Sequence, residues 1–262
     1  MLMLTHNWIL RMFLGARLAR DAEPDLFVYN VAPDILTVHD DIRAEMTHKI
    51  ARFRPLPKEH RKAACVQFHL LVDDIAHHGR LCREATAGIN PLSAGYAYRK
   101  GRPLVEPIMD FHRRMGRPVS SDEAAYCSHI LIEIAVDQLL EDEIQQELSR
   151  QFVTALSYTV EAKIEDFCST SSWLYGIRPE IIADALKKGK DKYDAGGDEN
   201  FSSLSGRMAL YIDKFRLDKT DHSTWSGLRN LLDQAMSVAN DYEEFLITAV
   251  KMISKSDFRI RL

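Results

Sequence analysis

"HLLVDDIAHHG", residues 69–79, sets three histidines and two aspartates among leucine, valine and isoleucine. Apolar residues recur three and four apart here, the spacing at which side chains share one face of a helix, so the stretch belongs to a helix expected over 58–79. On that helix His69 and Asp73 project from the same face one turn apart and can converge on one ion. Metal-capable groups on an otherwise core-facing helix are the feature that most needs explaining.

The same periodicity extends in both directions. It predicts helices at about 4–20, 40–53, 103–115, 121–141, 143–168, 179–189, 202–215 and 222–255, and strand-like alternation does not appear, so the chain is expected to be all-α. "LFVYNV" (26–31) is too isolated to build a sheet, and with Pro33 following it reads as a buried extended connector that delivers Asp34. "GKDKYDAGGDEN" (189–200) reads as a mobile surface loop or subdomain boundary. The apolar stripe from Trp225 through Leu228, Leu231, Leu232, Met236, Ala239, Phe245 and Leu246 packs on the helical body or on a second subunit, which makes a homodimer through the C-terminal helix one partner reading. We therefore expect residues 1–142 to form a metal-binding helical core and 143–262 a C-terminal helical extension packed on it as one domain.

Composition narrows the function. A formal net charge of −4, with 46% hydrophobic and 27% charged residues, describes an ordinary globular protein and argues against clamping duplex nucleic acid. Cys65, Cys82, Cys127 and Cys168 contain no CxxC pair and read as reduced, buried thiols. Arg11 and Arg17 interrupt the hydrophobic N-terminal stretch, so neither a signal peptide nor a transmembrane segment is expected and the cytoplasm is the expected location.

A second HxxxD/E pair stands in "HILIE", His129 to Glu133, again inside an apolar run. Burying carboxylates in such surroundings costs several kcal/mol unless a cation or strong hydrogen bonds compensate. His6, Asp34, His48 and the His77–His78 doublet add to the set. Imidazole and carboxylate together suit zinc, and less specifically manganese or iron; two-metal sites use this mixture to hydrolyse phosphate esters.

The order His6, "VAPDI" with Asp34, His48, "HLLVD" with His69 and Asp73, a following histidine, and "HILIE" with His129 and Glu133 resembles the bacterial zinc-dependent phospholipase C family and the related zinc-dependent single-strand nucleases. The likeness covers roughly residues 5–140, in ligand order and spacing. It implies an all-α bundle around a zinc cluster that cleaves a phosphodiester. Asp73 then bridges two zinc ions, His48 and His69 complete one, His6 holds its partner, and His129, Glu133 and one of His77 or His78 hold the third. His78 fits the family's gap better. Asp34 falls at the family's catalytic carboxylate, where it would orient or deprotonate the water activated by the metal, or act as a ligand itself. The family's N-terminal tryptophan ligand has no evident counterpart near His6, so either two or three ions are expected.

HD-type and acyl-carrier-protein phosphodiesterases are also helical and metal-dependent, but the literal dipeptide His39–Asp40 lies in a charged stretch. A non-catalytic helical metal-binding module is the non-enzymatic alternative, while a di-iron bundle would call for Glu-x-x-His rather than HxxxD/E. His60, His112 and His222 lie in polar surroundings and read as surface residues. On the substrate side, residues 79–103 carry Arg80, Arg83, Arg99, Lys100, Arg102, Tyr96 and Tyr98, a composition that would bind a phosphate ester, whether a lipid head group or a nucleotide.

Overall fold

Every regular element that the computed structural model holds among its described residues (3–21, 23–84, 90–144, 147–195 and 200–260) is helical, as the periodicity requires. In chain order the α-helices are α1 (Met3–Asp21), α2 (Asp25–Ile35), α3 (Ala44–His48), α4 (Ala63–His78), α5 (Tyr96–Gly101), α6 (Val105–Arg114) and α7 (Ser121–Glu143). They continue as α8 (Glu147–Ala162), α9 (Ile164–Tyr175), α10 (Pro179–Asp194), α11 (Leu204–Lys214), α12 (His222–Val238) and α13 (Tyr242–Ser254).

Two helices organise the rest. In α4 the residues from Ala63 to Ala76 are buried all round, and the helix stops where Gly79 takes the left-handed conformation (φ 70°) and returns its N–H to the Ile75 carbonyl at 2.9 Å. Helix α7 starts from a capping box, in which the Ser120 hydroxyl accepts from the Glu123 N–H and the Glu123 carboxylate accepts from the Ser120 N–H. Helix α2 packs on α4, while α5, α6 and α12 pack on α7. One hydrophobic cluster runs from Met3 through α4 and α7 to Phe258, so residues on both sides of position 142 share a core.

"LFVYNV" is not an extended connector. It lies within α2, with Leu26, Val28, Tyr29, Val31 and Ala32 at most 1% exposed. A helix buried on all faces shows no amphipathic stripe, and its β-branched residues and proline imitate an extended segment. Pro33 is accommodated in the last turn, and the Thr47 hydroxyl donates to its carbonyl at 2.7 Å, tying α3 to α2.

Helix 40–53 shrinks to α3 because the Arg52 side chain turns inward and its guanidinium takes the carbonyls of His48 (3.0 Å) and Ile50 (2.8 Å). The expected 143–168 helix divides at Lys163, and 222–255 divides at 239–241, where Asp241 accepts from the Tyr96 hydroxyl at 2.8 Å and pairs with Lys100 at 2.6 Å. The expected loop 189–200 begins later, since Gly189–Asp194 completes α10; residues 196–199 lie outside the described ones. Gly189 is needed there because a Cβ would come within 2.7 Å of the Ile35 side chain.

The C-terminal stripe is covered by the chain itself, with Leu228, Leu231, Leu232, Ala239, Phe245 and Leu246 buried and α13 packed on α1. Cys65, Cys82, Cys127 and Cys168 are buried and unpaired, and no helix among the described residues is long and apolar enough to cross a membrane.

Candidate metal centre

Helix α4 places His69, Asp73 and His77 four residues apart, so three potential ligands form a line along one face. Around that line gather His6 from α1, Asp34 from the last turn of α2, His48 from the end of α3, and His129 with Glu133 from α7. Three sets result: His6, His69 and Asp73; Asp34, His48 and His69; and His77, His129 and Glu133, with the ligand atoms of each set within 4.8 Å of one another.

Asp73 stands between the first two sets. Its Oδ1 lies 3.2 Å from His6 Nε2, and its Oδ2 lies 3.3 Å from His69 Nε2 and 3.5 Å from His48 Nε2. Asp34 Oδ1 is 3.5 Å from His48 Nε2, and its Oδ2 is 3.8 Å from His69 Nε2. These separations suit ligands around a cation better than hydrogen bonds: tetrahedral zinc with bonds of 2.0–2.1 Å places neighbouring donor atoms about 3.3 Å apart. Both ring nitrogens of His6 and of His69 are buried without a hydrogen bond among the described residues, although each Nε2 lies close to Asp73. Buried imidazole nitrogens that converge on carboxylate oxygens without hydrogen-bonding geometry fit a metal well.

The third set is more closed. His77 Nε2 and Glu133 Oε1 form a 2.8 Å hydrogen bond that would open slightly to admit an ion, and His129 Nδ1 is buried without a hydrogen-bond partner among the described residues. The Tyr98 ring stacks on His129 at 4.8 Å, and Tyr126 lies against the same imidazole at 4.8 Å. The His77 end is fixed by its backbone. The Ser93 hydroxyl donates to the His77 carbonyl, and Gly95 lies so close that a Cβ there would sit 2.1 Å from the His77 carbonyl carbon.

The electrostatics match ligand chemistry. Burial, reinforced by His69, lowers the His6 pKa to about 4, and burial lowers His129 to about 3, so both are neutral donors at neutral pH. Burial would raise Asp73, but His69 and His6 hold it well below the usual carboxylate range. Glu133 is likewise lowered against its burial, with His77 and His129 contributing. Against burial, Asp34 raises His48 and Glu133 raises His77.

The ligands differ in exposure. The side chains of His48 and His77 are 29% and 26% exposed, Asp34 and Asp73 about a tenth, and His6 and His69 not at all. His48 and His77 are therefore the most solvent-exposed members of the three sets.

Seven of the expected ligands, His6, Asp34, His48, His69, Asp73, His129 and Glu133, come together. His78 does not join them: one residue past His77 on α4, it points about 100° around the helix, and the Glu133 carboxylate meets His77 instead. The sequence carried the signal, since 69, 73 and 77 continue one i, i+4 line while 78 leaves it. Asp74 and Arg52, buried beside the ligands, were not expected. The His39–Asp40 dipeptide lies apart from all three sets, with His39 Nε2 3.1 Å from Asp184 and Asp40 exposed. His112 is buried rather than superficial, its Nε2 3.1 Å from the Tyr211 hydroxyl; His60 stacks on Trp173, and His222 is exposed.

The basic stretch is partly committed to structure. Lys100 pairs with Asp241, and Arg102 donates to the carbonyls of Leu92 and Ser93 at 3.1 and 3.0 Å. Tyr96 and Tyr98 are buried, Arg80, Arg83 and Arg99 are exposed, and residues 85–89 lie outside the described ones. Comparisons with family models, curated proteins and solved structures gave no match, so the family likeness of the ligand pattern rests on the residues themselves.

Proposed function

We propose that the chain is a metal-dependent hydrolase of phosphate esters, with phosphodiesters as its main class and zinc as its metal. The observation that carries this reading is the position of Asp73, one oxygen toward His6 and the other toward His48 and His69. A carboxylate so placed would contribute to holding two cations, and paired cations assist in-line displacement at phosphorus. His6 with one Asp73 oxygen would hold one ion, Asp34 and His48 with the other Asp73 oxygen a second, with His69 within reach of both, and His77, His129 and Glu133 a third. Zinc, when bound, lowers the pKa of water toward neutrality and neutralises charge developing on a phosphoryl group.

The protein's part is to place and shield these groups. Asp34 lies within a ligand set, which favours a ligand over a free-standing base. The Tyr98 and Tyr126 rings exclude water from one side of His129, and a phosphate ester, from a lipid head group or a nucleotide, would approach the partly exposed His48 and His77. Arg80 and Arg99, exposed in the neighbouring segment, offer charge-assisted hydrogen bonds to such an anion.

The test is turnover of bis(p-nitrophenyl) phosphate by zinc-loaded protein. Hydrolysis that stops on chelation and returns with zinc supports the proposal. A zinc-loaded protein that hydrolyses neither this diester nor a phospholipid nor an oligonucleotide contradicts it.

A further inference from the structure

Arg52 and Asp74 form a buried charge pair beside the metal centre: they are 4% and 1% exposed, with Arg52 Nε and Nη2 donating to the two Asp74 oxygens at 3.2 and 3.0 Å. The remaining Arg52 nitrogen, Nη1, donates to the His48 and Ile50 carbonyls at 3.0 and 2.8 Å. Asp74 also accepts the Cys82 N–H at 3.1 Å, and the Arg52 N–H reaches the Arg83 carbonyl at 3.3 Å. One guanidinium therefore ties together the turn after His48, the helix that carries Asp73, and the segment after α4.

That arrangement matters because His48 is weakly held by its own element. Helix α3 spans five residues, and the chain leaves it at Lys49 with ψ 34°. The ring itself is oriented by Nδ1, which lies 3.0 Å from both the Ala44 carbonyl and the Thr47 hydroxyl; that hydroxyl gives its proton to the Pro33 carbonyl and a carbonyl can only accept, so Nδ1 is the donor. Nε2 is then left for a ligand, which is how a neighbouring acceptor selects the ligating nitrogen of a histidine. Its distance from Asp34 on α2 and from Asp73 on α4, 3.5 Å to each, depends on how the α3 backbone sits against both helices: the Thr47 hydroxyl ties α3 to α2 at the Pro33 carbonyl, and the link to α4 is left to Arg52. Arg52 grips that backbone at the His48 carbonyl and joins it to Asp74, the residue next to Asp73.

We infer that Arg52 and Asp74 are a positioning pair for the His48 ligand, which makes the second ion position depend on a side chain that touches no ion. The inference rests on the metal-centre reading above. Buried charge pairs are expensive to desolvate, and apolar replacements of similar size often stabilise as well, so fold stability alone does not account for one here. Its geometry also specifies arginine: three nitrogens in one plane serve Asp74 and two carbonyls at once, which lysine cannot do.

The experiment is a zinc titration of chelated, refilled protein, comparing wild type with His48→Ala, Arg52→Lys and the double variant Arg52→Met/Asp74→Asn. The double variant leaves no buried charge unpaired, and its asparagine can still accept the Cys82 N–H. It should match His48→Ala, with one class of zinc weakened about 10–100-fold, as for loss of residues behind a ligand, and with the other classes unchanged. The melting point of the chelated protein should stay near that of wild type, and Arg52→Lys should show the same selective weakening. Zinc binding equal to wild type in both Arg52 variants, or a uniform loss over all classes together with a lowered melting point of the chelated protein, overturns the inference. If the double variant does not fold, Arg52→Lys decides by the same criteria. Wild-type protein that takes up no zinc fails the metal-centre reading itself, and this inference with it.

Discussion

Replacing Asp73 by asparagine keeps the side-chain volume and removes the charge that the structure places between His6, His48 and His69. If Asp73 serves two ions as proposed, both would lose a ligand in one step, whereas the His77, His129 and Glu133 set would keep all of its own. Each site occupied at about a thousand times its Kd stabilises the folded chain by about 4.1 kcal/mol. Losing two removes about 8 kcal/mol of zinc-dependent stability, which at about 2 °C per kcal/mol for a chain of this size lowers the zinc-loaded melting point by roughly 16 °C. The chelated variant should differ from chelated wild type by only about 1 kcal/mol, because burial keeps His6 neutral and an asparagine can donate to an imidazole nitrogen. Calorimetry with and without chelator, paired with elemental analysis of the same samples, measures both quantities. A variant that retains its full zinc content, or whose zinc-dependent rise in melting point equals that of wild type, refutes the bridging role.

Other expectations follow from the same geometry. Asp34→Asn should lose zinc and diesterase turnover together, read on one preparation; full zinc with turnover down about 10²–10⁴-fold would instead make Asp34 a base. His77→Ala should remove one ion per chain while His78→Ala leaves metal content unchanged, and the reverse outcome in elemental analysis would place the wrong histidine in the third set. Zinc affinity should rise with pH through the neutral range. His48 and His77, whose pKa values are raised by Asp34 and Glu133, must lose protons to bind, whereas His6, lowered to about 4, and His129, lowered to about 3, compete only in acid. Isotherms that stay flat from pH 6 to 8 would contradict that order.

Much of this centre is legible in the sequence. A ligand pair four apart on a helix needs nothing but helical geometry, which is why His69 with Asp73 and His129 with Glu133 came together as expected. What joins the two helices is tertiary. Asp34 was found for a wrong local reason, since the segment that carries it is a helix buried on all sides rather than a connector, and local propensity cannot register burial supplied by α1, α4 and α8. Phase along one helix favours His77 over His78, since 69, 73 and 77 keep one line, whereas the resemblance favours His78. Arg52 with Asp74 was out of reach, because a charged pair 22 residues apart has no periodic signature and its burial depends on the turn that it creates.

The central claim is that Asp73 lies between two metal ions with a third nearby, and an anomalous difference map at the zinc absorption edge from zinc-loaded crystals tests it most directly. Peaks are expected within coordination distance of both Asp73 oxygens, one shared with His6 and one with His48 and Asp34, and a separate peak among His77, His129 and Glu133. A map with no peak at Asp73, its imidazole neighbours joined instead by ordinary hydrogen bonds, would contradict it.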